Sequence, residues 1–266
     1  MPGRTRRALR NSAIQGGSQM VTWALSWVLL VVLPRYLGDE GFGKLFLALS
    51  YAMVFGTLMN LGVNRFLVKE LAVLNPVDDA DADVARSEEA MRTLLGNVFA
   101  LKLALSAGVY ALLAVVTLFL PYDAATRHAI LIICFAGCVN NLTLTAGSAF
   151  QGFEAMMPPN IGLVAEKLIA TAGCTALLLG GFGLVPVCFV YVAAALANGA
   201  VVFFLLHRRI RIPLAWDGAE VKRILAGGMP FLIWILFGEI YVRIDVLMLS
   251  FMTDEAVVGW YGAAFR

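Results

Sequence analysis

An all-α bundle that crosses a membrane many times is the fold class predicted by three features of this 266-residue chain. Hydrophobic residues make up 61% of it. Charged residues make up 14%, which excludes an ordinary soluble domain, where the share is about 25%. The apolar residues follow no amphipathic period. They fall in blocks of about twenty, enough to cross ~30 Å of hydrocarbon at about 1.5 Å per residue.

Seven blocks read as complete crossings: Asn11–Leu33, Leu45–Asn64, Leu94–Leu120, Ala129–Phe150, Ile161–Gly180, Pro186–Leu206 and Met229–Met252. The first is too polar and too long for a signal-peptide core, and no small-residue cleavage site follows it. Pro34, Pro121, Pro158, Pro159 and Pro186 mark block ends, because proline breaks the helical hydrogen-bond ladder.

Basic residues in the connections set the expected orientation. Arg4, Arg6, Arg7 and Arg10 precede the first block; Arg65, Lys69, Arg86 and Arg92 follow the second; Arg208, Arg209, Arg211, Lys222 and Arg223 follow the sixth. These thirteen face three on the other side, Arg35, Lys44 and Arg127, so the N-terminus is expected in the cytoplasm. The acidic run from Asn75 to Glu89 reads as a solvated linker leading into a helix extension. It lacks the glycine and terminal glutamate of an EF-hand calcium loop.

No cofactor is expected. Cys134 and Cys138 share a helix face at the spacing of a metal pair, but small residues inside apolar blocks more commonly serve helix packing. His128 and His207 lie at block edges, where a hydrated interfacial role is the default.

Aligning the sequence with itself at an offset of 215 residues pairs Arg35–Glu40, followed by Gly43 and an apolar run, with Ser250–Glu255, followed by Gly259 and another apolar run. One residue must be inserted before the second glycine. Six helices separate the copies, so both have the same orientation, as in parallel transporter repeats. The second copy has barely begun at Arg266, and the chain reads as truncated there.

Polar residues inside the blocks are the site-like features. Ser12, Gln15, Gln19, Thr22 and Ser26 form one stripe on the first helix; Ser50, Thr57, Asn60 and Asn64 lie on one face of the second; Asn141, Thr145 and Ser148 do so on the fourth, with Asn140 beside them. Amides facing lipid cost free energy, so these stripes should face helices or a hydrated cavity. Lys102 and Lys167 can snorkel toward the cytoplasmic interface or face a cavity. On the seventh helix Glu239 and Arg243 can pair, and Asp245 needs a different partner. Three central charges cost roughly 7–10 kcal/mol on an insertion scale, and thirteen Leu, Ile, Phe and Val residues return roughly 4–8. That helix therefore needs neighbours. The candidate cavity residues are Gln15, Gln19, Asn60, Asn64, Lys102, Asn141, Lys167, Glu239, Arg243 and Asp245.

Several segments carry a resemblance: the polar start Asn11–Gln19, Arg35–Gly43, Leu61–Arg65 leading to Lys69–Ala72, Phe150–Glu154, and Arg243–Asp245 with Val258–Tyr261. The chain resembles the polysaccharide-biosynthesis flippases of the multidrug/oligosaccharidyl-lipid/polysaccharide exporter superfamily. The resemblance implies two helical lobes, here divided as a basic tail (1–10), a first six-helix lobe (11–206), a basic cytoplasmic linker (207–228) and the start of a second lobe (229–266). It implies a multi-pass protein of the bacterial inner membrane that moves a polyprenyl-diphosphate-linked oligosaccharide by alternating access, with H⁺ or Na⁺ coupling. The expected partners are thus the lipid bilayer and that substrate, with no nucleic acid and no enzymatic step. A drug/cation antiporter of the same superfamily is the nearer rival. A polymerase or ligase of polysaccharide assembly is the further one, since the outer loops are short.

Overall fold

The structure, a computed structural model, describes the backbone of residues 2–74 and 84–265, and their side chains except at 2–11, 84, 234–236, 239 and 243. It is helical throughout, with no strand among the described residues. The helices run in the order α1 (Pro2–Asn60), α2 (Val63–Leu74), α3 (Val84–Phe119), α4 (Ala124–Gly152), α5 (Met157–Leu179), α6 (Leu184–Arg209), α7 (Gly218–Met252) and α8 (Glu255–Phe265).

Among the described residues, five helices are long and apolar enough to cross a membrane: Ser12–Asn60, Ala85–Phe119, Ala124–Gly152, Met157–Leu179 and Leu184–Arg209. The sequence had suggested seven crossings. One physical fact accounts for part of the difference. The first helix contains two crossings joined across a kink at Gly38 (φ 70°, ψ 175°), a backbone conformation open to glycine, four residues after Pro34. Gln15 and Thr57 line the same cavity although a straight rod would hold them roughly 60 Å apart, so the chain folds back at the kink. The seventh expected crossing lies within the 35-residue helix α7 (Gly218–Met252), several of whose residues lie outside those described, so the five do not test it.

Other boundaries moved. The second crossing ends at Asn60 and not at Asn64, because Leu61 (φ 48°) and Gly62 (φ 70°) leave the helical region and start α2. Gly62 is needed there on a second count, since a β-carbon would overlap the Gly228 carbonyl. Helix α2 buries Val63, Phe66, Leu67 and Leu71, one stripe at helical spacing. Most of the basic linker is helix: α6 runs to Arg209 and α7 starts at Gly218, capped by Asp217, which accepts from Ala219 N at 2.9 Å. Most of the acidic run, 75–83, lies outside the described residues; its end, Glu88, sits on α3 and pairs with Arg92 at 3.4 Å.

Two apolar cores stack along the bundle. One, at the Gly38 end, gathers Leu33, Phe46, Ile130, Cys174 and Val187. The other, at the Arg65 end, gathers Leu67, Leu95, Phe150, Leu206 and Ile224. Trp23, Trp27, Phe119, Phe189 and Phe204 stand exposed on the outside, as lipid-facing side chains do. At the Gly38 end Lys44 joins Glu40 (2.7 Å) to Asp123 (2.9 Å). Burial pushes the Asp123 carboxyl up, but hydrogen bonds from Thr126 and Lys44 outweigh it and hold it at about 2.

The repeat has a geometric counterpart. Gly38 breaks α1 where Thr253 separates α7 from α8 in the second copy. The two copies also pack reciprocally. A β-carbon on Gly43 would overlap the Glu255 carbonyl, and one on Gly259 would overlap the Asp39 carbonyl; one on Gly262 would meet the Phe46 ring at 2.6 Å. One 216-residue offset relates 39 to 255, 43 to 259 and 46 to 262. Equivalent positions therefore face each other, as across a local two-fold axis.

Candidate functional site: an amide-lined cavity between two cores

A polar layer separates the two cores. On α4 the lower and upper core residues flank Asn140 and Asn141; on α6 they flank Asn198; on α3 Lys102 and Ser106 lie between Leu101 and Leu113. A cavity of about 700 Å³ opens at this level. Its walls come from both arms of α1 (Gln15, Gln19, Thr57, Asn60) and from α4, α5 and α6. Glu166 and Lys167 are the charged residues among those lining it. Small residues on α1 and α4, Gly56, Gly137 and Gly147, leave it open.

Five of the ten expected residues meet there: Gln15, Gln19, Asn60, Asn141 and Lys167. Lys102 lies just behind the wall. It is fully buried and does not snorkel; its ammonium donates to Asn60 Oδ1 (2.9 Å), Asn141 Oδ1 (3.0 Å) and Met59 O (3.4 Å). Three donors thus meet three oxygens, none of them a carboxylate. Asn141 also donates to Ser106 Oγ at 3.4 Å.

The remaining residues go elsewhere. Asn64 belongs to α2 and packs on α4, accepting from Thr145 Oγ1 at 2.9 Å, because the Leu61–Gly62 break turns it away from the cavity. Asp245 accepts from the Tyr261 hydroxyl on α8, the separate partner its position required. The side chains of Glu239 and Arg243 lie outside the described residues. Along the α1 stripe Thr22 and Ser26 turn back onto carbonyls of their own helix, Gln19 O and Thr22 O. Cys138 contacts the Met59 sulfur at 3.8 Å, and no cluster of three metal-ligating side chains occurs among the described residues.

Sequence reasoning left Glu166 and Asn198 out of the candidate residues. Glu166 accepts from Asn140 Nδ2 (3.0 Å) and from Asn198 Nδ2 (2.7 Å), one amide on each carboxylate oxygen. Asn160 accepts from Ser18 Oγ at 2.6 Å and ties the α1 arm to α5. The signal was present: Asn198 is a lone amide in an otherwise apolar helix, and such a residue marks an internal contact by default.

Apolar outer faces, five membrane-length helices and a buried polar layer together define a polytopic helical membrane protein with a cavity that carries polar side chains among apolar ones. The chain belongs to the polysaccharide biosynthesis protein family, whose model matches residues 8–266. No curated protein and no solved structure matches it.

Proposed function

We propose that the chain is the cavity-bearing lobe of a flippase that carries a lipid-linked oligosaccharide from the cytoplasmic to the extracytoplasmic face of the bacterial inner membrane by alternating access. The observation that carries this reading is the composition of the cavity: eight amides against one carboxylate and one ammonium, with a second ammonium, Lys102, held behind two of the amides. Amides offer both donors and acceptors, so they can replace water around sugar hydroxyls. The two ammonium groups offset an anionic diphosphate. A drug/cation antiporter would call for an excess of carboxylates in the cavity, and the lining here has Glu166 alone. No step of this reading requires covalent chemistry. The test is surface polysaccharide in a flippase-null strain complemented with the full reading frame. Gln19→Leu combined with Lys167→Leu should accumulate in the membrane at the unsubstituted level and export less than roughly a tenth as much, the cost of one or two charge-assisted hydrogen bonds. Undiminished export by that variant would remove the cavity from the transport path.

A further inference from the structure

A second, apolar groove of about 360 Å³ lies at the Arg65 end of the bundle. Phe99 and Leu103 on α3, Leu142 on α4, Phe203 on α6, and Ile210 and Ile212 of the α6–α7 linker line it. Leu103 is half exposed, so the groove opens on the outer, lipid-facing surface. It is separate from the amide-lined cavity: Leu142 stands about half a turn around α4 from Asn140 and Leu144, which line that cavity. Leu142 lies roughly 15 Å inward from the α4 terminus at Gly152, so the groove reaches through about the hydrocarbon depth of one leaflet. Its interfacial wall is strapped in place. A β-carbon on Gly96 of α3 would overlap the Pro213 carbonyl, and Asp217 N donates to the buried Asn97 Oδ1 at 2.6 Å.

The mouth of the groove is basic. His207 is the polar residue among those lining it, Arg208 follows, and Arg211 stands between two lining residues; all three are exposed. Arg208 lies over the Phe204 ring at 4.5 Å, which holds its guanidinium beside the bundle. None of the ion pairs among the described residues includes Arg208 or Arg211. The next acids along the chain are engaged elsewhere: Asp217 caps α7, and Glu220 binds Arg223 at 2.7 Å. Trp216, exposed beside them, is a residue type that anchors at the lipid–water interface. The positive-inside rule accounts for the sign of these charges but not for an apolar slot of leaflet depth beneath them.

We infer that this groove binds an anionic phospholipid of the leaflet at the Arg65 end, with one acyl chain in the slot and the phosphate on Arg208, Arg211 and His207. Any acyl chain can fill the slot; charge complementarity selects the headgroup. A guanidinium can bind two phosphate oxygens at once, and basic pockets between transmembrane helices on the cytoplasmic side recognise acidic headgroups. Because Ile210 and Ile212 form one wall, the bound lipid ties the linker to α3 and α4. The inference rests on the membrane fold and not on the flippase reading.

The experiment uses the purified protein in nanodiscs of phosphatidylethanolamine with and without phosphatidylglycerol, together with native mass spectrometry of the lipids retained in detergent. Phosphatidylglycerol should be retained in preference to phosphatidylethanolamine and should raise Tm. Arg208→Gln combined with Arg211→Gln should weaken its apparent affinity at least roughly tenfold, the loss of two charges beside an anionic headgroup. Lys69→Gln combined with Lys222→Gln removes the same charge from exposed positions at the same end, outside the groove, and should leave retention unchanged. Leu103→Trp fills the slot from its exposed side without altering charge and should also lower retention. If the tryptophan variant fails to accumulate, the arginine and lysine pairs carry the comparison. Retention that ignores the headgroup, or equal loss in the two pairs, would overturn the site. So would displacement of phosphatidylglycerol by an equal concentration of a polyprenyl phosphate, which would make the groove part of the substrate path. Export is not the readout, so failure of this site and failure of the flippase reading are separate results.

Discussion

Lys102 shows how much a single residue's environment decides. In the sequence it is one charge in an apolar run, free to reach the interface or an interior space. In the fold its ammonium is closed off and shared among Asn60, Asn141 and Met59. A buried charge survives only with such partners, and removing it strands them. Lys102→Met should therefore destabilise the protein by about 2–4 kcal/mol, two orphaned amide oxygens at roughly 1–3 kcal/mol each less relaxation. Lys102→Met with Asn60→Leu and Asn141→Leu should recover much of this, since a matched apolar replacement of a buried polar group can be nearly neutral. Denaturation midpoints in nanodiscs, compared across the two variants, check both statements. Asn64 marks the other side of this lesson. Its spacing placed it on one face with Asn60, but two residues of positive φ between them put it on another helix.

At the scale of elements, the Gly43–Gly259 crossing joins α1 to α8 with no room for a methyl group on either side. Overpacking of a tight contact costs about 1–3 kcal/mol, and here the obstacles are backbone carbonyls, which cannot rotate aside. Gly43→Ala or Gly259→Ala should each lower stability by that amount and loosen α8. Gly56→Ala is the control: its β-carbon would meet nothing within 4 Å, so helix propensity alone should leave it neutral or slightly stabilised. Protease sensitivity of the 253–254 connection, with the unfolding midpoint, distinguishes these cases. Equal behaviour of the three variants would show that the crossing opens freely. Glycine in both copies was readable from the repeat; that the two glycines face each other was not.

For the whole molecule, the distribution of Lys and Arg predicts sidedness. Reporter fusions after Arg92 and Lys222 should report cytoplasm, and fusions after Tyr122 and Asp254 the opposite side, because thirteen basic residues lie at one end against three at the other. The fold agrees with this grouping of segments: Glu70, on the helix that carries Arg65, meets Arg223 at 2.9 Å at one end, while Lys44 and Asp123 meet at the other. A single reversed fusion would break the pairing of helices on which the cavity rests.

Block length and composition by themselves determined that the chain is a helical membrane protein, because crossing hydrocarbon demands about twenty apolar residues and leaves the backbone no choice but to satisfy its own hydrogen bonds. The same reasoning located Gln15, Gln19, Asn60, Asn141 and Lys167, since a polar side chain in such a block must find an interior. Which of them share a space was decided by tertiary structure alone. The turn at Gly38 brings Gln19 into one cavity with Asn60, the break at Gly62 takes Asn64 away, and the packing of α4, α5 and α6 closes two amides onto Glu166. Periodicity fixes the face of one helix; only the crossing of several helices fixes what that face meets.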